Sequence, residues 1–335
     1  MRALIIETAF VGDVIVSLGL ARELKRIQSD AFIAYLVRPE AAAIVKVCPD
    51  VDDVIIFDKY GADSGRSGVL KKAAELNIMG FDTIIALHGS RRSQLLVSRV
   101  DAIRKLGFVP MRSAGLTHTV ADAGWSNRYE RAILPLTTLF ANVEHSSLPR
   151  LDCGVFPEAS QFATRFDRCV ALAPGSVWAT KQWGASSFAS LAQALSSAKI
   201  GIIIIGGADS RNAADDISAL AGESNVLDLT GKTSFAQSGA AIAAASLLVS
   251  NDSAPAHLAI AVGTRVLTIF GPTVSAFGFA PPKGRGEVIE MADLWCRPCA
   301  SHGSNACPVY THACMKEITP EVVFERVITA LSLNS

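Results

Sequence analysis

Apolar positions along the chain fall into short continuous runs, separated by stretches whose apolar residues recur at helical spacing. Arg2–Glu7 (RALIIE) reads as a strand and Thr8–Gly12 as a turn. From Asp13 to Arg26 the apolar Val14, Leu18 and Ala21 or Leu24 share one helical face. The spacing then predicts a strand over Ala31–Val37, a helix over Pro39–Val47 with Pro in its first turn, and a strand over Val51–Phe57. A helix over Val69–Leu76, a strand over Thr83–Leu87 and a helix over Gln94–Val100 follow. Arg112–Arg128 is polar, with Gly115, Gly124 and Asn127, and reads as loop; Arg131–Phe140 reads as helix. Ser146–Ala159 contains Pro149, Gly154 and Pro157 and reads as a linker.

Beyond it the rhythm restarts. Strands are expected at Cys169–Ala173, Ile200–Ile205, Val226–Leu229, Leu247–Ser250 and Arg265–Phe270. Helices are expected at Ser187–Leu195, Arg211–Leu220, Ala236–Ala245 and Pro255–Val262. After Gly271 an irregular Gly/Pro/Cys-rich stretch precedes a last helix at Pro320–Leu331. Alternating strands and helices predict an α/β fold of two doubly wound, Rossmann-like domains, with the strand C-terminal ends facing a cleft. The expected domains are 1–150 and 160–319, with 320–335 a terminal helix open to packing back on the first domain.

Composition narrows the class of function. Lys+Arg and Asp+Glu both number 31, so no net positive field favours nucleic acid. Half the residues are hydrophobic and 19% are charged, ample for two cores. No apolar run reaches the ~18 residues of a membrane span. Glu7 and Asp13 interrupt the apolar N-terminus, so it reads as a strand and not a signal peptide, and a cytosolic chain is expected.

Five constellations carry candidate chemistry. Asp13 ends the strand–turn T-A-F-V-G-D, where it is either a helix-start carboxylate or a general base at a cleft; no G-x-G-x-x-G is present. In S-N-D-S-A-P-A-H (250–257) a strand runs into a helix opened by Pro255, whose free N–H groups at Ser253–Ala256 form an anion site. There a neutral His257 can donate an N–H to a phosphate or ribose. The loop A-P-G-S-V-W-A-T-K-Q-W (173–183) offers Lys181 to a diphosphate. D-L-T-G-K-T-S (228–234) is not a Walker A loop, because Val226 stands where its first Gly belongs. It is either a plain turn or a loop that approaches a donor. Cys296, Cys299, Cys307 and Cys314, with His302 and His312 among them, are either packed thiols or a structural metal site.

Together V-G-D-V-I (11–15), L-H-G-S-R-R-S (87–93), P-G-S-V-W-A-T-K-Q-W (174–183), D-L-T-G-K-T-S (228–234), S-N-D-S-A-P-A-H-L-A (250–259), F-G-P-T (270–273) and the C-R-P-C…C-M-K-E-I-T-P ending (296–320) resemble the ADP-heptose:lipopolysaccharide heptosyltransferases, glycosyltransferase family 9. Ala254 and Ala256 stand where that family commonly has Gly and Met. The resemblance implies a GT-B fold and an inverting transfer of heptose from ADP-heptose to a hydroxyl of the lipopolysaccharide inner core. It implies Asp13 as general base and Lys181 as the charge on the leaving diphosphate, with Asp252 orienting the donor or Lys181. Ser176, Thr230, Gly231, Ser253, Ala254 and His257 would complete the donor site, and Arg91 and Arg92 would meet the anionic acceptor. No cofactor or catalytic metal is expected: Asp50 and Asp52 lead into a strand, away from the strand C-terminal ends, and Asp215-Asp216 lies in a predicted helix. The implied setting is cytoplasmic, in peripheral contact with the inner face of the membrane. A nucleotide-sugar epimerase, another family 9 sugar transferase and a non-catalytic nucleotide-sugar-binding protein are the alternatives.

Overall fold

The computed structural model describes residues 1–109, 111, 114–122 and 127–333. The chain divides into two compact units, Met1–Asp152 and Cys153–Ser335. In the first, strands β1 (Arg2–Ile6), β2 (Phe32–Val37), β3 (Asp53–Ile56), β4 (Thr83–Ala86), β5 (Arg104–Phe108) and β6 (His118–Val120) form one sheet in the order β3-β2-β1-β4-β5-β6. Every pairing is parallel; Ile5 of β1 sits between Tyr35 of β2 and Ile85 of β4. β1 and β2 are buried along nearly their whole length, which explains why they read as unbroken apolar runs. Helices α1 (Val11–Ile27), α2 (Pro39–Val45), α3 (Gly65–Met79), α4 (Arg91–Arg99) and α5 (Arg128–Ile133) complete the unit.

The second unit repeats the plan. β7 (Cys169–Ala173), β8 (Gly201–Ile204), β9 (Val226–Asp228), β10 (Leu247–Asn251), β11 (Val266–Phe270) and β12 (Gly286–Glu290) form an all-parallel sheet in the order β12-β11-β10-β7-β8-β9. Its helices are α6 (Pro157–Ala163), α7 (Ala185–Ser197), α8 (Arg211–Ala221), α9 (Phe235–Ala243), α10 (Ala254–Val262), α11 (Ala313–Lys316) and α12 (Pro320–Ser332). Trp183 is 1% exposed, meets Phe188 edge-on and donates its indole N–H to Ile318 O at 2.7 Å, which ties the loop after β7 to the chain entering α12. Helix α12 buries Val323, Val327, Ala330 and Leu331 in this same core.

Several local expectations are corrected. β5 and β12 fall in stretches that show no strand pattern, and β6 lies in the stretch expected as loop, of which 112–113 and 123–126 lie outside the described residues. The helix expected at 131–140 begins at Arg128, capped by Asn127, and ends in a 3-10 turn at Leu134–Thr138. The expected linker is ordered chain: Ser147 Oγ donates to the buried Glu23 at 2.7 Å, Asp152 N donates to Val47 O, and Pro157 opens α6. The unit boundary falls inside it.

Candidate functional site

In the second unit the site is assembled at the C-terminal ends of the strands. β10 ends in the buried Asn251, whose amide bridges backwards: Oδ1 accepts from Trp183 N at 3.0 Å and Nδ2 donates to Pro174 O at 2.7 Å. This fixes the loop after β7 against the start of α10. Ser253 caps α10 without a side-chain bond to its N–H groups, so that end keeps donors for an anion. A pocket of about 280 Å³ opens here, lined among others by Ser176, Gly206, Thr233, Ser253 and Ala254. The wall is tight: a Cβ on Gly175 would lie 2.4 Å from Ser210 Oγ and one on Gly206 2.8 Å from it, so a larger residue at either position displaces the Ser210 side chain.

Lys181 stands on a 3-10 turn after β7, and its Nζ donates to Asp252 Oδ2 at 2.6 Å. The Thr273 hydroxyl donates to the same oxygen at 2.8 Å. His257, 4% exposed on α10, has its pKa pushed down to about 4 by burial against the opposing pull of Asp252, so at neutral pH it is an uncharged imidazole. Thr230 and Gly231 stand behind the pocket wall: Gly231 N donates to Gly206 O at 2.8 Å, and Thr230 N to Asp228 Oδ1 at 2.9 Å. Lys232 folds back onto Asp228 O at 2.8 Å, consistent with rejecting a P-loop. Gly206 and Ser210 escaped the sequence reading, and Gly175 and Thr233 stood in quoted motifs without a role of their own. The Gly206-Gly207 pair directly after an apolar strand was the signal that could have found part of this wall.

In the first unit Asp13 lies in the first turn of α1, three residues after the exposed N-cap Phe10. Glu7, read from the sequence only as a break in the apolar N-terminus, directly follows β1 and is 6% exposed; its Oε1 accepts from Ala9 N at 3.0 Å. Burial, then the nearby Asp13 charge, push the Glu7 pKa up to about 8, so it is protonated at neutral pH.

Arg91 and Arg92 are both exposed in the first turn of α4, where the helix dipole disfavours cations. Arg92 donates to Lys59 O at 2.6 Å, and the charged groups of Arg38, Lys59 and Arg92 all lie 5.2 to 5.4 Å from the Tyr60 ring centre. Lys59 is 7% exposed and donates to Thr8 O at 2.7 Å; burial, then Arg38 and Arg92, lower its pKa. Burial, then Lys59 and Arg38, push His88 down to about 4. Arg38, Lys59 and His88 were not singled out from the sequence.

Among the described residues no group of three or more His, Cys, Asp or Glu side chains is placed to hold a metal ion, and Cys296, Cys299, Cys307 and Cys314 are free thiols. Burial pushes Cys314 up to about 11, whereas backbone N–H groups of residues 309–312 outweigh burial and lower Cys307. Asp50 pairs with Arg150 at 3.3 Å, Asp52 with Lys25 at 2.8 Å, and Asp215 with Arg211 at 3.0 Å.

Two Rossmann-like units, one with a pocket at a helix N-terminus and the other with carboxyl groups and cations at its strand ends, define a GT-B protein. Residues 69–309 match glycosyltransferase family 9 (heptosyltransferase), and the chain belongs to that family. It is 31% identical over 163 residues to lipooligosaccharide heptosyltransferase 2 of Campylobacter jejuni, an alignment covering 48% of this chain and 50% of that protein. The chain thus spans about half the length of the first relatives it matches. It is 24% identical to lipopolysaccharide heptosyltransferase 2 of Salmonella typhimurium, over 99% of both chains. Its fold matches the crystal structure of a family 9 glycosyltransferase from Veillonella parvula with a TM-score of 0.84 and 22% identity, covering 100% of this chain and 98% of that one. Among the described residues no helix is long and apolar enough to cross a membrane.

Proposed function

We propose that this chain is an inverting glycosyltransferase that moves a heptose from ADP-heptose to a hydroxyl of the lipopolysaccharide inner core. The observation that carries the reading is the Lys181–Asp252 pair, next in sequence to pocket-lining Ser253 at the open N-terminus of α10. A fixed cation and the N–H groups of Ser253 and Ala254 together suit a diphosphate that gains charge as it leaves; Pro255 has no N–H and Ala256 N is held by Ser253 O. The donor's diphosphate is held by Lys181, Ser253 and Ala254, with Ser176 in the same pocket wall. Thr230 and Gly231 shape the turn behind it, Asp252 orients Lys181, and the neutral His257 offers an N–H without adding charge.

The acceptor hydroxyl oxygen attacks the anomeric carbon and forms the new C–O bond. The bond to the diphosphate oxygen breaks, and its electron pair leaves with ADP. The hydroxyl proton goes to Asp13. Arg91 and Arg92, with the cations around Tyr60, attract an anionic acceptor to the first unit. Charge on the leaving group is met by these protein groups, so no metal cofactor is invoked. An acceptor of this kind places the enzyme in the cytoplasm, in peripheral contact with the inner membrane face.

Asp13→Asn tests the reading. Turnover of ADP-heptose with a core acceptor should fall by ~10²–10⁴, the usual worth of a general base, while ADP affinity by calorimetry stays unchanged. Near-normal turnover would remove Asp13 from the mechanism. Conversion of the nucleotide-sugar without an acceptor would point to an epimerase instead.

A further inference from the structure

Arg297 lies in the irregular Cys-rich stretch, yet its side chain is 2% exposed. Its Nε donates to Gly271 O and its Nη1 to Met291 O. Its Nη2 donates to Thr273 O and to Glu290 Oε2, both at 2.7 Å. A buried guanidinium requires acceptors for its N–H groups, and three of these four are backbone carbonyls. The cation therefore fixes chain, and the chain it fixes is the Gly271–Thr273 turn after β11 and the end of β12.

The consequence falls on Thr273, which is 2% exposed. With its carbonyl held by Arg297, its hydroxyl reaches Asp252 Oδ2, the oxygen that also receives Lys181. Asp252 is 6% exposed, so water is a poor substitute for that donor. The same Cys-rich stretch also holds the backbone beside Lys181. Thr180 N donates to Ser304 O at 3.0 Å, Ser304 N returns a bond to Thr180 Oγ1 at 2.9 Å, and His312 Nε2 donates to Thr180 O at 2.8 Å.

We infer that Thr273 and Arg297 are positioning residues for Lys181: Arg297 fixes the turn, and Thr273 shares the Asp252 carboxylate with the lysine. The inference rests on the proposed role of Lys181 at the diphosphate. A carboxylate whose only strong donor is a lysine holds that lysine as a closed neutral pair. A second donor on the same oxygen stabilises the anion independently. The ammonium, with three N–H donors, then turns its remaining ones to a phosphate without leaving Asp252 bare.

The test is Thr273→Val, which keeps the branched shape and deletes the hydroxyl, beside Thr273→Ser, which keeps the hydroxyl. Folding of each is checked by circular dichroism. For Thr273→Val, kcat should fall about tenfold and ADP should bind several-fold more weakly, the scale of one hydrogen bond to a charged group. KM for the acceptor should stay within about twofold, a split that a general loss of packing would not produce. Thr273→Ser should restore kcat and ADP affinity, and Arg297→Lys should reproduce the loss. Thr273→Val with wild-type kcat and ADP affinity, or a Thr273→Ser variant as impaired as Thr273→Val, overturns the inference. Lys181→Ala is measured in parallel with ADP alone. If it leaves ADP affinity unchanged, the proposed role of Lys181 fails; if it weakens ADP and Thr273→Val does not, only the present inference fails.

Discussion

Glu7→Gln should stabilise the protein, and by an amount that grows with pH. The Glu7 carboxyl is 6% exposed, and it releases its proton near pH 8 in the folded chain against an ordinary 4.5. Burial is the main cause and the Asp13 charge the next, while the Ala9 N–H, Arg131 and Lys59 oppose them. Between those two pH values the folded chain binds more protons than the unfolded one. Stability contributed by the neutral carboxyl is therefore whole below about pH 4.5 and is lost as pH rises toward 8. At about 1.4 kcal/mol per pH unit, the loss is about 3 kcal/mol at pH 7 and about 5 kcal/mol above pH 8, in order of magnitude. Glutamine keeps the shape and the acceptor for Ala9 N but never ionises. Urea denaturation of both proteins from about pH 5 to about pH 9, summing the transitions of the two units, gives a difference in which other titrating groups cancel. A difference that does not change with pH would refute the reasoning. Activity has a parallel consequence: once Glu7 ionises, a second negative charge stands near Asp13, and the variant is spared it.

Two further outcomes are expected. Lys181→Ala leaves the buried Asp252 with Thr273 as its remaining side-chain donor and should cost about 3 kcal/mol of stability. Adding Asp252→Asn should recover most of that without restoring ADP binding, and a coupling energy below about 0.5 kcal/mol in the urea-melt cycle would contradict it. Protein purified without a histidine tag should carry well below one zinc or iron per chain, with all seven cysteines titrating after unfolding and turnover unaffected by EDTA; one tightly held equivalent would reinstate the metal reading.

The buried strands were legible because each lies between parallel neighbours and needs no polar face. RALII of β1, CVALA of β7 and GIII of β8 are almost wholly apolar. The strands that escaped lie at or next to a sheet edge. β6 and β12 each have one neighbour, and β5 carries Arg104 and Lys105 beside that edge. Exposure there admits polar residues, and the apolar run that marks a strand disappears. Asp13, Lys181 and Asp252 were legible because each lies in or beside a turn that directly follows a strand. Glu7 was not, because a carboxyl ending an apolar run reads as the strand's ordinary exit, and only tertiary burial makes it unusual.

Arg38, Lys59 and His88 were hidden for a different reason. Each lies in its own loop, after β2, β3 and β4 respectively. They meet because the strand order β3-β2-β1-β4 sets those three ends beside the end of β1, where Thr8 takes Lys59 on its carbonyl and His88 on its hydroxyl. The second unit obeys the same geometry with different residues. The chain just after β7, β8, β9, β10 and β11 supplies Lys181, Gly206, Thr230, Asp252 and Thr273. One set of strand ends is ringed by ionisable side chains, which suits proton transfer and an anionic acceptor. The other is mostly glycine and hydroxyl around the Lys181–Asp252 pair, which suits a diphosphate held by backbone N–H groups. Two similar sheets thus diverge in chemistry at the first few residues beyond each strand. Those positions become readable as a group only when the strand order is known.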